Sequence, residues 1–538
     1  ILDNKGILLG VLTDGDIRRV YASNIPFSSE ISRVMVLDPI TISDQIKEEN
    51  ISSEVIKKVQ LNDRHNSEWI RHVLVVNQQN KLTNVIDYLE ILQNRSTFVN
   101  RVAVIGLGYV GLTLAVSLAN RGHQVTGIDI QEPIISSLNN GISHIFEPGL
   151  SDMLKANLER QSIEFKTSLD SEAHQVYIVA VGTPLSEDSK PDLSLIKSAL
   201  KEISKNLKKG NQVMLRSTVP VGITREVVIP YLEKATGLVV GVDLQVSFAP
   251  ERTIEGAAMN ELKTLPQVVG GYSSKCTQRS VDFWSTLTPT VVRVDSIEAA
   301  EMVKLANNTF RDLSFSFSNE LALLAGNYNV NAFELINAAN EGYPRNKIPS
   351  PSPGVGGYCL TKDPILFSSD SKGLRADAVL GISSRKINER AAMYPLQLIY
   401  KYLQSSKFSL SEINVLIVGV AFKGIPETID IRGSVSVDIF HELNGKVKNV
   451  FGWDAVIEAQ TLKKLGFQVM DNLKEAVNIA DVVLIMNNHP DNICSDIYIP
   501  SINSKLIFDG WNQVNKMEVE KASGLIYSTM GYMTEAKD

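Results

Sequence analysis

Short, unbroken apolar runs separated by longer amphipathic stretches set the rhythm of most of this chain. Residues 101–105, 124–128, 176–181, 212–216 and 245–248 read as buried strands, each leading into a turn or loop at its carboxyl end. From 296 to about 327 the pattern changes to one long helix, continued by 331–341. A glycine-rich loop and a mostly helical stretch to about 402 follow. The strand rhythm restarts at 414, with further strands near 450–453, 482–486 and 506–508. Two doubly wound, Rossmann-like α/β domains joined by a helical middle are therefore expected. Residues 1–93 differ. A strand at 7–12, an acidic turn at 13–16 and a helix from Ile17 are partly echoed by strands at 74–76 and 84–86 and a helix from Asp87. The domains expected are 1–98, a smaller α+β module; 99–293; 294–408, the helical centre; and 409–538.

Length and composition narrow the function classes. The 538 residues accommodate three or four domains. A net charge of −7, with 44% hydrophobic and 21% charged residues, describes a mildly acidic soluble protein without the basic face that nucleic acid demands. Cys276, Cys359 and Cys494 are odd in number, widely spaced and in no metal-ligand pattern, so neither a disulfide framework nor a metal site is indicated and a reducing cytoplasm fits. The longest apolar runs, such as 414–422, are far short of a membrane span, so no membrane insertion is expected. The sequence starts at Ile1 inside a strand-like segment, which leaves open what precedes it.

The candidate chemistry gathers at strand ends. In R-V-A-V-I-G-L-G-Y-V-G-L a strand runs directly into a glycine turn and a helix: Gly106 for the tight turn, Gly108 for close approach of a pyrophosphate, Gly111 for helix against strand. The next strand ends in Asp129, eighteen residues after Gly111, where an acid holds a ribose diol and repels a 2′-phosphate. NAD is thus expected rather than NADP. Thr183 and Thr218 follow two further strands as cofactor neighbours, or alternatively as helix caps. A-P-E-R-T-I-E-G delivers Glu251, Arg252 and Glu255 to the same edge. On the long helix, Lys304 and Asn308 are four apart and share a face. S-P-G-V-G-G-Y-C-L-T-K-D-P, residues 352–364, places Cys359 in a glycine loop, with Lys362 supplying a field that lowers a thiol pKa and Asp363 placed to hold a water or share a proton. The alternative is an inert cysteine buried in a turn. In the last domain Lys423 and Arg432 suit an anionic ligand such as a diphosphate.

Two resemblances follow from these motifs. G-V-L-T-D-G-D-I-R-R (10–19) resembles the end of a CBS motif and V-M-V-L-D-P-I-T-I (34–42) the start of a second. Such a pair implies adenine-nucleotide sensing, with Thr13 and Asp16 on ribose and phosphate. The second copy departs from the pattern, with Asp87 and Glu90 where threonine and aspartate are usual, so a packing or dimerisation role stands beside it.

Residues 100 to about 530 resemble the nucleotide-sugar 6-dehydrogenases through G-L-G-Y-V-G, V-G-T-P, S-T-V-P-V-G, A-P-E-R, K-L-A-N-N, G-V-G-G-Y-C-L-T-K-D and V-G-V-A-F-K. The resemblance implies an NAD-binding domain, with Tyr109 and Val110 in its glycine loop, and a UDP-binding domain. It also implies a long helix at the interface of a homodimer or larger homo-oligomer. It implies oxidation of a sugar C6 alcohol to the carboxylate with two NAD, through a thiohemiacetal and thioester on Cys359. Asp363 and Lys304 would hold the water that takes the proton, Lys304 and Asn308 would stabilise the oxyanion, and Glu251 and Thr218 would serve hydrolysis. Gly356, Glu255, Lys423 and Arg432 would hold the UDP-sugar. Arg252, where relatives acting on UDP-glucose carry phenylalanine, points to an N-acetylhexosamine, UDP-N-acetylmannosamine before UDP-N-acetylglucosamine. UDP-glucose and an inactive, nucleotide-sensing scaffold are the competing readings. Tyr358 before the cysteine, and the segment 426–434, depart from the usual pattern.

Overall fold

A computed structural model describes residues 1–12, 30–37, 39, 41–46, 54, 72–87, 100–170, 173–188, 190–370, 373–374, 379–470, 472–502 and 504–535. At the amino end, β1 (Thr41–Ser43) pairs in parallel with β2 (His72–Val76), which pairs antiparallel with β3 (Leu82–Asp87). The expected strand at 7–12 is not continuous. Among the described residues Ile7, Leu8 and Val11 make isolated bridges, to Lys81, Leu2 and Val36, with no described neighbour alongside for more than one residue at a time. Thr13, Asp16 and Glu90 lie outside the described residues.

The largest sheet comprises β4 (Arg101–Ile105), β5 (Gln124–Ile128), β6 (Ile163–Lys166), β7 (Val176–Val179), β8 (Gln212–Leu215), β9 (Gln245–Phe248), β10 (Gln267–Gly271) and β11 (Val291–Arg293). Its order is β11-β10-β9-β8-β7-β4-β5-β6, parallel except where β10 meets β9. The run of apolar residues is explained by burial on both faces. Val102, Val104, Val176 and Ile178 enter one core, while Ala103, Ile105, Tyr177 and Val179 enter the other. The chain crosses over after β6 and returns beside β4, so β4 and β7 flank the point where the sheet order reverses and open a crevice at their carboxyl ends.

The long helix spans Ile297–Gly326 and starts where Ser296 Oγ accepts the Ala299 N–H at 3.1 Å. It does not continue into the next helical segment. Asn329 takes φ +53°, and Asn331 caps a separate helix, Ala332–Asn340, by accepting the N–H groups of Phe333 and Glu334. The helix Val379–Ala392 is tied to the long one by a buried polar cluster. Arg385 Nη1 donates to Asp312 Oδ1 at 2.6 Å, Ser384 Oγ donates to Asp312 Oδ2 at 2.7 Å, and Asn388 Nδ2 donates to Asp312 Oδ1 at 2.8 Å. A second sheet has the order Asn449–Trp453, Asn414–Val418, Val482–Ile485, Lys505–Asp509, Leu525–Thr529, Tyr532–Met533, and only the last pairing is antiparallel. Here too, alternate residues feed two cores: Val415 and Ile417 one, Leu416 and Val418 the other.

Candidate active site

At the carboxyl edge of the first sheet, three glycines shape a cradle. Gly106 has φ +93°, and a Cβ there would press on Val181 at 2.9 Å. A side chain on Gly111 would run into the Gly106 carbonyl, 2.9 Å from its carbon and closer still to its oxygen. Gly108, which precedes the helix Tyr109–Asn120, has no heavy atom within 4 Å of where a Cβ would lie. The helix N-terminus therefore faces open space, as a pyrophosphate requires, and half-buried Val110 sits in its first turn. Asp129, just past β5, is held beside the turn: Oδ2 accepts the Leu107 N–H at 2.9 Å and Oδ1 the Gln131 N–H at 3.1 Å. Together these residues fit NAD. Tyr109 faces elsewhere, donating its hydroxyl to Glu147, while the Gly256 N–H donates to Glu147 Oε2 at 2.8 Å. Burial, reinforced by Glu147, drives this phenol far above its ordinary pKa, so it stays a donor.

The strand-end threonines connect the cradle to the cysteine loop. Thr183 donates to the Thr218 carbonyl, and buried Lys362 donates through Nζ to Thr183 Oγ1 at 3.1 Å. Cys359 is exposed as a residue, although its sulfur is largely shielded from solvent. Four residues on, fully buried Asp363 accepts through Oδ2 the Asn308 amide at 2.6 Å. Its Oδ1 lies 3.7 Å from Lys362 Nζ and has no hydrogen-bond partner among the described residues, which leaves it as an acceptor for a bound group. Lys304, one turn before Asn308, is buried and within electrostatic reach of both Cys359 and Glu251. The field of Lys362 does lower the thiol pKa, as expected, but it does not decide the net direction. Lys304 pulls the same way as Lys362, but the loss of solvent around the sulfur is larger and Asp363 adds to it, so the thiol is pushed up and rests protonated.

Glu251 is buried and doubly held, by Arg216 Nη2 on Oε2 and the Thr253 N–H on Oε1. Burial pushes its acid up, but the charges of Arg216 and Lys304 and the Thr253 N–H outweigh it and hold the pKa at about 2. Arg252 donates to the Pro266 carbonyl and stays within electrostatic reach of Glu251 and Arg216. Glu255 joins the two sheets: its carbonyl accepts Lys423 Nζ at 2.7 Å, and its carboxylate meets Thr428 Oγ1 at 3.3 Å and Arg432 Nη2 at 3.5 Å. Burial and Asp430 raise the Glu255 pKa against the pull of Arg432 and Lys423. Arg432 also pairs with Asp430 at 2.6 Å and lies 4.7 Å from the Tyr358 ring, which Lys362 approaches at 4.9 Å. The cysteine loop seats on the second domain where the Gly357 N–H donates to the Gly433 carbonyl at 3.2 Å, a contact that a side chain on Gly356 would block.

Reading the sequence alone did not single out Arg216 or Glu147. A cation ending one strand beside a carboxylate ending another was the available signal for Arg216, but it requires knowing that β8 and β9 are neighbours. Among the described residues no group of three or more His, Cys, Asp or Glu side chains could hold a metal ion, and no helix is long and apolar enough to cross a membrane.

A glycine cradle with a ribose acid on one doubly wound sheet, a second such sheet, and an exposed cysteine near lysines define an NAD-linked dehydrogenase with two Rossmann-like domains. The domain descriptions of one family match in order: the NAD binding domain at residues 100–288, the central domain at 298–390 and the UDP binding domain at 416–516. This chain belongs to the UDP-glucose/GDP-mannose dehydrogenase family. It is 35% identical over 434 residues to the UDP-N-acetyl-D-mannosamine dehydrogenase of Pyrococcus horikoshii, covering 80% of this chain and 99% of that one. The solved structure of UDP-D-ManNAc dehydrogenase from the same organism superposes with TM-score 0.71 at 32% identity, over 80% of this chain and 99% of the other. The UDP-N-acetyl-mannosamine dehydrogenase of Staphylococcus aureus gives 0.69 at 30% identity, over 80% and 98%.

Proposed function

We propose that this enzyme oxidises the C6 alcohol of UDP-N-acetylmannosamine to the uronic acid in two NAD-linked steps, with Cys359 as nucleophile. The reading is carried by the hydrogen bond from Asn308 to Asp363 on the loop of Cys359, with Lys304 in electrostatic reach of the sulfur. When bound, NAD would supply the hydride acceptor for each oxidation. A water held by Asp363 and Lys304 takes the alcohol proton in the first. Cys359 then adds to the aldehyde, its thiol proton leaving as the C–S bond forms. Lys304 and Asn308 stabilise the resulting oxyanion, and loss of the second hydride leaves a thioester. Hydrolysis with Glu251 and Thr218 releases the acid. Thr183, Asp129 and the glycine turn hold the cofactor, while Gly356, Glu255, Lys423 and Arg432 hold the nucleotide-sugar. Arg252 serves the choice of sugar indirectly, since its guanidinium is turned to Pro266.

The similar dehydrogenases from Pyrococcus and Staphylococcus act, by their names, on UDP-N-acetylmannosamine, which favours that sugar over UDP-N-acetylglucosamine and UDP-glucose. NADH formation with the three UDP-sugars in parallel tests the choice, and a higher kcat/KM on UDP-glucose would overturn it.

The reading divides the chain at about 98, 293 and 408, supported by the end of the first sheet at Arg293 and the start of the second at Asn414. A homo-oligomer is supported by an exposed stripe on the long helix, where Met302, Phe310, Phe317 and Leu324 are 48–70% exposed and recur every seven or eight residues. The free cysteines suit the cytoplasm. Adenine-nucleotide binding at the amino-terminal module is supported by residues 10–19 alone. Equilibrium dialysis of the full chain with AMP and ATP, against Asp16→Ala, tests it, and equal retention by both proteins would refute it.

A further inference from the structure

Glu251 lies three residues past the end of β9 and Arg216 directly follows β8, so two neighbouring parallel strands lead to an acid and a guanidinium side by side past the sheet edge. Arg216 is 2% exposed, and its contacts leave it no freedom. Nη1 donates to the Ala249 carbonyl at 3.2 Å and to Gln267 Oε1 at 2.9 Å, Nη2 donates to Glu251, and the guanidinium stacks 4.8 Å from the Trp284 ring. Gln267 is fixed in turn. Its Nε2 donates to the carbonyls of Pro250 and Val268 at 3.0 and 2.8 Å, so its oxygen must face Arg216. A long, cationic side chain is thus clamped on four sides; it pairs with the carboxylate at the substrate edge of the first sheet and also lies within electrostatic reach of Arg252. As a pair, Arg216 and Glu251 are a poor source of net stability, since apolar residues of similar volume at both positions would serve a core as well. What the pair does secure is one rotamer and one protonation state of Glu251.

We propose that Arg216 is a positioning residue for the hydrolytic half of the reaction, holding Glu251 ionised and aimed at the water that opens the Cys359 thioester. This rests on the assignment of Glu251 to hydrolysis. In that step the water oxygen bonds to the thioester carbonyl carbon and the C–S bond breaks. One water proton passes through Glu251 to the departing Cys359 sulfur, and the carboxylic acid formed loses the other to solvent. No oxidant or reductant is consumed. Both hydride transfers precede this step, so damage at Arg216 falls after them.

The test is acid quench of the full-length enzyme during turnover with NAD and UDP-N-acetylmannosamine, intact mass of the chain, and the pre-steady-state NADH burst. Arg216→Gln is expected to lower steady-state kcat by about 10²-fold. It should retain a burst approaching two NADH per active site, accumulate the uronyl mass on Cys359, and acquire an acid limb in its pH–rate profile as Glu251 returns toward an ordinary carboxylate. Arg216→Lys restores the cation without the fork and is expected to show less adduct and a smaller loss. Equal kcat loss without adduct, or a burst lost in proportion to kcat, would overturn the proposal. Where Arg216→Gln is insoluble, the lysine variant decides: wild-type kcat with no adduct also overturns it. Glu251→Gln separates the two claims. Adduct in Glu251→Gln but not in Arg216→Gln sinks the role of Arg216 alone, whereas no adduct in Glu251→Gln sinks the assignment of Glu251 itself.

Discussion

Alanine at Gly108 and alanine at Gly111 remove the same hydrogen from the same turn, yet the geometry predicts opposite consequences. At Gly108 φ is −65°, which any residue adopts, and the new methyl meets nothing within 4 Å. Replacing glycine restricts the unfolded chain, worth about 0.4–1 kcal/mol, while alanine is a poorer helix N-cap by a similar amount, so stability changes by less than about 0.5 kcal/mol. The methyl fills the space a pyrophosphate must enter, and a loss of only about 1.4 kcal/mol already weakens NAD tenfold. At Gly111 the methyl lands 2.9 Å from the Gly106 carbonyl carbon, backbone against backbone, in a helix whose next eight residues are all buried. Overpacking there costs about 1–3 kcal/mol, against about 0.5–1 kcal/mol gained by removing a helical glycine. A net loss of about 1 kcal/mol lowers the melting temperature of a domain of this size by about 2–4 °C. Quenching titrations with NAD and thermal unfolding, run on both variants, read the two effects. Wild-type NAD affinity in Gly108→Ala, or a wild-type melting temperature in Gly111→Ala, would refute this account of the turn.

Two further outcomes follow from the buried charges. Because burial pushes the Cys359 thiol up while Lys304 pulls it down, alkylation by iodoacetamide should accelerate at a pH above that of an ordinary thiol, and Lys304→Ala should move the transition higher still; an unchanged or lower transition contradicts the assigned field. Asp312→Ala strands the buried Arg385 guanidinium and should cost about 3–5 kcal/mol in urea unfolding, with much of the loss recovered by adding Arg385→Met; additive losses would contradict the pairing.

Local spacing made some of this site readable in the sequence. Gly106, Gly108 and Gly111 lie within six residues, and Asp129 ends the very next strand, so their meeting needs only one strand–turn–helix–strand unit. Lys304 and Asn308 needed only the helical repeat. The contacts that were not readable all depend on which distant segments become neighbours. Arg216 reaches Glu251 across 35 positions, Tyr109 reaches Glu147 across 38, and Lys362 reaches Thr183 across 179. The net direction of the thiol shift was out of reach for a related reason. A nearby lysine is visible in the sequence, but the walls that strip solvent from the sulfur are not. At the amino end the apolar run 7–12 carried the composition of a strand, but among the described residues it has no continuous pairing partner.

The central claim is that one cysteine carries a four-electron oxidation, and counting NADH released per molecule of UDP-N-acetylmannosamine consumed tests it most directly. The account predicts two in the native enzyme, with carboxylate as the product, and none of the second oxidation in a folded, NAD-binding Cys359→Ala variant. One NADH per sugar in the native enzyme, or two in Cys359→Ala, would contradict it.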